Sequence, residues 1–74
     1  MGYWPVFMVM KIRLKRDVLV EMTDRKDAEI YDKQLKKWQT LDIEKINVKR
    51  ATADIVTYEG DTLWDVPTDT FETV

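Results

Sequence analysis

Residues 24–41 read DRKDAEIYDKQLKKWQTL, and the spacing of the apolar residues in this stretch decides the predicted fold. The apolar residues recur at steps of three and four, which is the period of an amphipathic helix with one buried stripe. The stripe consists of Ala28, Tyr31, Leu35, Trp38 and Leu41. The sequence therefore predicts a helix over residues 24–41.

The polar residues of this stretch favour the same structure. Thr23 or Asp24 is suited to cap the first turn, and Asp24 and Asp27 place negative charge where the helix dipole is positive. Glu29 and Lys33 form an acid-before-base pair four residues apart, an arrangement that stabilises isolated helices. The local signals thus agree with the apolar stripe.

The chain before this stretch alternates between apolar and polar residues. Between residues 6 and 22 most even positions are apolar, whereas Lys11, Arg13 and Lys15 occupy odd positions. This period of two is typical of a strand with one buried and one solvated face. We expect one long, bent strand. A turn at residues 15–17 that splits it into a hairpin is the alternative, although no Gly or Asn favours a tight turn there.

The chain after the stretch predicts further strands, namely residues 44–50, 54–59 and 62–66. The first two are alternatively one continuous strand, because no typical turn residue separates them. Gly60 favours a hairpin turn before the last strand, and Pro67 ends that strand.

Together these elements predict an α+β fold in the order β-α-β-β, with an additional short strand at the end. One amphipathic helix would pack on a small antiparallel sheet. A chain of 74 residues is long enough for one small core and too short for two domains. We expect residues 1–67 to form this domain and residues 68–74 to form a mobile acidic tail.

The composition excludes several kinds of chemistry. The chain has no Cys and no His, so disulfides, thiol nucleophiles, Cys/His zinc sites and Ser-His-Asp triads are excluded. Glu59, Asp61 and Asp65 lack the spacing of a Ca²⁺ loop, and two Gly are too few for a phosphate-binding loop. We expect no enzymatic activity, no metal and no cofactor. No basic segment precedes the apolar N-terminus, so we expect a cytoplasmic protein without a signal peptide.

The order of the charges is more informative than the net charge of −2. Residues 1–50 hold all 12 basic residues and 8 acidic ones, whereas residues 51–74 hold 6 acidic residues and no basic one. Such an asymmetry is typical of an acidic binding segment. The alternative is that the acidic segment neutralises the basic strand within the fold.

The leading functional hypothesis is a small acidic binding protein that inhibits or modulates a larger protein by docking on its basic surface. Acidic side chains would steer the association and aromatic side chains would anchor it. The candidate contact residues are Asp54, Glu59, Asp61, Trp64, Asp65, Asp69, Phe71 and Glu72. A nucleic-acid-handling enzyme presents such a basic surface. A compact protein without catalytic residues suits a phage or mobile element that blocks a host enzyme or defence complex.

Two other hypotheses use the N-terminal half. The apolar residues 3–10 would associate with a second copy, giving a homodimeric structural or assembly subunit. The basic stripe would instead bind nucleic acid through Lys11, Arg13, Lys15 and Arg16, although a pI near 5.0 argues against this function.

Overall fold

The computed structural model describes residues 10–74, which form a single antiparallel β-sheet. Its seven strands are β1 (Met10–Leu14), β2 (Val18–Thr23), β3 (Ile30–Leu35), β4 (Thr40–Val48), β5 (Thr52–Thr57), β6 (Thr62–Pro67) and β7 (Phe71–Thr73). A single 3₁₀ turn, Thr68–Thr70, precedes β7. The strand order is β3-β2-β6-β5-β4-β1-β7. Within residues 10–74, no helix has the length and hydropathy needed to cross a membrane.

The predicted α+β fold is therefore wrong, and the domain is a small β domain. In place of the helix over residues 24–41, the chain forms a loop, strand β3 and the turn that leads into β4. Ala28 and Trp38 have φ angles of 56° and 72°, which no right-handed helix accommodates. Long-range pairing explains the difference: β3 pairs with β2 at six positions, from Val18↔Leu35 to Thr23↔Ile30.

The predicted strand over residues 6–22 is also divided differently. Residues 6–9 lie outside the described part, and residues 15–17 separate β1 from β2. The two strands are not hairpin partners, because β1 pairs with β4 and β7 while β2 pairs with β3 and β6. A three-residue link between strands that lie so far apart in the sheet requires the sheet to curl.

The C-terminal strands agree better with the prediction. Separate strands β4 and β5 replace the continuous-strand alternative, and Gly60 lies in the β5–β6 loop with a φ of 98°. Residues 68–74, assigned by sequence to a tail, contain the 3₁₀ turn and β7, and Thr70 within them is buried.

The core fills the concave face of the curled sheet. Its buried apolar residues are Ile12, Leu14, Val20, Met22, Leu35, Ile43, Ala53, Ile55, Leu63 and Val66. Leu63 and Val66 are both buried although they are three positions apart, an odd spacing that would normally place them on opposite faces of a strand. A register shift between β5 and β6 and the positive φ of Asp65 explain this, because they insert a bulge between the two residues.

Candidate functional site

The acidic residues of the C-terminal segment lie in several places. Four of the six contact cations from the first fifty residues: Glu72 with Arg13 at 2.8 Å, Asp69 with Arg16 at 3.0 Å, and Asp54 and Asp65 with Lys49 at 3.2 and 2.8 Å. The remaining two, Glu59 and Asp61, lie in the β5–β6 loop. The fold thus pairs four of the predicted docking carboxylates with cations of the same chain and places the other two in a separate loop.

The two aromatic residues of that prediction are also separated. Trp64 lies beside Glu21 on the outer face of β6, is 38% exposed and donates its indole N–H to the Thr23 hydroxyl at 2.7 Å. Phe71 is partly buried and packs against the core.

Lys49 forms a charge cluster with two of these carboxylates. Hydrogen bonds to Asp65 and then to Asp54 raise the pKa of Lys49 above its usual value. The pKa of Asp54 is lowered, mainly because its carboxylate accepts the backbone N–H of Asp65 at 3.0 Å, and further because of Lys49. These contacts link the end of β4 to strands β5 and β6, which gives the cluster a structural role.

The residue that stands out in the structure is Trp38, which the sequence assigned to a buried helix stripe. It lies in the turn between β3 and β4, and its side chain is 61% exposed. Its backbone N–H donates to the Leu14 carbonyl at 2.8 Å, and the Leu14 N–H donates to the Gln39 carbonyl at 2.8 Å. These two bonds fix the turn to the end of β1, so the backbone that carries the exposed indole has a defined position.

Cations surround this indole. The Arg13 guanidinium carbon and the Lys37 Nζ lie 5.9 and 5.2 Å from the centre of the ring, within the range of cation–π attraction. The Lys37 backbone N–H donates to the Asp17 carboxylate at 2.7 Å, which brings the β1–β2 loop beside the turn. We call this region the Trp38 surface and define it as Trp38, Arg13 and Lys37 together with their neighbours along the chain, Lys15, Arg16 and Lys36.

Three of the four residues of the predicted basic stripe belong to the Trp38 surface. Arg13, Lys15 and Arg16 lie at or beyond the end of β1, whereas Lys11 faces Asp42 across the β1–β4 pair at 3.7 Å. Sequence reasoning missed Trp38 and its neighbours Lys36 and Lys37. The available signal was an aromatic residue directly after two lysines, which is unusual for a buried position.

The opposite end of the sheet carries an acidic surface. An open pocket there is lined by Asp24, Arg25, Lys26, Glu59 and Asp61. The Arg25 backbone N–H donates to the Asp61 carboxylate at 3.1 Å, and this bond joins the β2–β3 and β5–β6 loops. Tyr58 is 61% exposed beside them.

Asp24 organises the β2–β3 loop. Its carboxylate accepts the backbone N–H groups of Lys26 and Asp27, which lower the pKa of Asp24. The Tyr31 hydroxyl also donates to it at 3.3 Å, and partial desolvation followed by the Asp24 charge raises the pKa of Tyr31. Among residues 10–74, no group of three acidic side chains has the geometry of a metal site.

Comparison with protein-family models, curated proteins and solved structures finds no match to this chain.

Proposed function

We propose that this protein binds single-stranded nucleic acid through the Trp38 surface. The observation that supports the proposal is the exposed indole of Trp38, which lies on a turn held by backbone hydrogen bonds and is flanked by Arg13 and Lys37. Proteins that bind single strands combine a cationic surface that follows the phosphates with aromatic rings that stack on the bases. An unpaired base offers its ring face to Trp38, whereas a base in a duplex is already stacked on its neighbours.

The low pI does not argue against this surface, because the charges are unevenly placed. The Trp38 surface holds five basic residues, and three acidic residues contact it: Asp17, Asp69 and Glu72. Residues 24–29 and 58–61, at the other end of the β2–β3 hairpin, hold two basic and five acidic residues. The six-residue strands separate these ends by about 20 Å, which exceeds the Debye length of ~8 Å at physiological salt. A phosphate chain near Trp38 therefore experiences a modest net positive charge, because Glu72 and Asp69 partly neutralise Arg13 and Arg16.

A direct test is a titration of a fluorescently labelled oligothymidine with the full chain, followed by fluorescence anisotropy. A duplex of mixed sequence and equal length serves as the comparison. We expect binding at low salt that weakens as salt is added, with tighter binding to the single strand. The absence of binding at low salt, or equal affinity for the duplex, would contradict the proposal. We further propose the cytoplasmic location expected from the sequence, with which the absence of Cys is consistent.

The acidic surface supports a second candidate function, which is docking on the basic surface of a larger protein as an inhibitor. Tyr58 provides an exposed anchor, and Glu59 and Asp61 provide negative charge beside it. The test compares partner capture by wild type with capture by Tyr58→Ala/Glu59→Lys, which leaves the Asp61 contact intact. Glu21→Lys, an exposed change on β2, is the control. Docking through this end is supported if wild type and Glu21→Lys capture the partner and the double variant does not. Equal capture by all three proteins contradicts it.

A further inference from the structure

Strand β3 is an open edge of the described sheet. It is the first strand in the order β3-β2-β6-β5-β4-β1-β7, and only Leu35 among its six residues is buried. Ile30 and Tyr31 remain 65% and 43% exposed. The strand contains no Pro and no bulge, the features that commonly protect an edge from pairing with another chain.

The hydrogen bond from the Asp24 backbone N–H to the Glu29 carbonyl shows which backbone groups of β3 point away from β2. In an antiparallel pair, directly opposite residues alternate between hydrogen-bonded and non-hydrogen-bonded positions. Because Asp24 and Glu29 occupy a hydrogen-bonded position, Tyr31, Lys33 and Leu35 bond to β2 as well. The N–H and C=O groups of Ile30, Asp32 and Gln34 therefore point toward the open edge.

Symmetry restricts how a second copy can pair with this edge. Two identical edge strands pair antiparallel about a two-fold axis perpendicular to the sheet. Two residues that lie opposite each other must then have their side chains on the same face of the combined sheet. Only registers centred on a residue satisfy this condition. A register centred on Asp32 places Asp32 opposite itself, and one centred on Lys33 places Lys33 opposite itself. Like charges directly opposite each other destabilise the pair.

The register centred on Tyr31 has complementary charges. It places Tyr31 opposite Tyr31 of the second copy, and it places Glu29 opposite Lys33 on both sides of the axis. We infer that the chain self-associates into a two-fold dimer through β3 in this register. Asp32 and Lys33 then disfavour the registers centred on Asp32 and on Lys33.

Such an interface is small, because only residues 29–33 of each copy are paired. We therefore expect a concentration-dependent dimer of the transient kind rather than an obligate one. It differs from the dimer predicted from residues 3–10, which lie outside the described residues except for Met10. The two interfaces are distinguished by which substitutions affect the association.

Sedimentation equilibrium of the full chain over a wide concentration range tests this inference by charge exchange. Wild type should shift from 8.8 kDa toward twice that mass as its concentration rises. Glu29→Lys and Lys33→Glu should each weaken the dimer about tenfold or more, since each places like charges opposite each other. The combined variant Glu29→Lys/Lys33→Glu should restore the wild-type dissociation constant.

Two results would overturn the inference. Wild type that remains at 8.8 kDa at the highest concentration excludes the dimer. Dimerisation that neither single substitution affects, or that the double substitution fails to restore, locates the contact elsewhere in the chain. Thermal unfolding of each variant shows whether the monomer is folded, and both positions are exposed, so their folding should resemble that of wild type.

Discussion

The guanidinium of Arg13 lies 5.9 Å from the centre of the Trp38 ring, although the two residues come from β1 and from the β3–β4 turn. The same guanidinium donates to one oxygen of Glu72 from both Nε and Nη2, at 3.1 and 2.8 Å. Arg13 is thus shared between an exposed aromatic ring and a carboxylate of the C-terminal strand. A phosphate that approaches Trp38 competes with Glu72 for this cation.

Replacement of Glu72 by Gln should therefore tighten binding to single-stranded DNA. With its carboxylate neutralised, Arg13 is available for a phosphate, and we expect an affinity about two- to fivefold higher at low salt. The dependence of log K on log salt should steepen by about 0.7 if one more phosphate is contacted. Anisotropy titrations at several salt concentrations measure both effects. Asp65→Asn, which removes a carboxylate beside Lys49, is the control and should leave binding nearly unchanged.

The lysines that flank Trp38 should contribute to binding through charge. Lys36→Gln and Lys37→Gln should each lower the affinity and reduce the salt slope by about 0.7, because each removes one phosphate contact. Lys26→Gln is the matched control, since Lys26 is equally exposed but lies in the acidic β2–β3 loop. If Lys26→Gln weakens binding as much as the other two substitutions, binding depends on the net charge of the protein rather than on phosphate contacts at the Trp38 surface.

The left-handed conformation of Ala28 offers a stability test of the corrected fold. At a φ of 56°, Ala is strained and Gly is not, so Ala28→Gly should raise the free energy of unfolding by about 0.5–1 kcal/mol. In a helix over residues 24–41 the same substitution would lower it by about 1 kcal/mol. Urea denaturation of the two chains gives the sign. Destabilisation by Gly would contradict the loop conformation described for residue 28.

The Asp54 carboxylate should make stability depend on acid pH. Its folded-state pKa is lowered below the ordinary value of 3.8, so its stabilising contribution is present above that value and is lost as pH falls through the folded-state pKa. Asp54→Asn should therefore lose less stability than wild type on acidification from neutral pH. Asp24, whose pKa is also lowered, keeps part of the dependence in the variant. Parallel pH–stability curves for the two chains would show that ionisation of Asp54 contributes nothing to the pH dependence.

The strands whose apolar residues alternate were predictable from the sequence. Ile12 and Leu14 of β1, and Val20 and Met22 of β2, are buried on the parity that the alternation predicts. The Gly60 turn was also predictable, because Gly is the residue that readily adopts positive φ. These features depend on one strand or one turn at a time.

Strand β3 and its flanking turns could not be predicted in this way. As an edge strand with a single buried residue it shows no alternation, and its polar residues match helical spacing equally well. Its turns contain no Gly that would signal them in the sequence. Ala28 and Trp38 adopt the positive φ angles there instead. Pairing with β2 outweighs the weak local helix preference, and this pairing is not visible in a local pattern.

The prediction of the candidate site failed because of the same wrong helix over residues 24–41. A helical stripe placed Trp38 in the core, whereas the β3–β4 turn places it on the surface beside Arg13. The basic residues of β1 were recognised, but their aromatic neighbour was not. The ion pairs of Arg13, Arg16 and Lys49 with C-terminal carboxylates likewise required the tertiary fold.

The most direct test of the proposed function compares Trp38→Ala with Trp64→Phe in binding a labelled single-stranded oligonucleotide. Both changes remove an indole, but Trp64 lies outside the Trp38 surface, on the outer face of β6 beside Glu21. Loss of one stacked base of ~1–3 kcal/mol should weaken binding by Trp38→Ala about 5- to 150-fold. Trp64→Phe should bind as wild type does. Equal affinity of wild type and Trp38→Ala, with both proteins folded, would contradict the account.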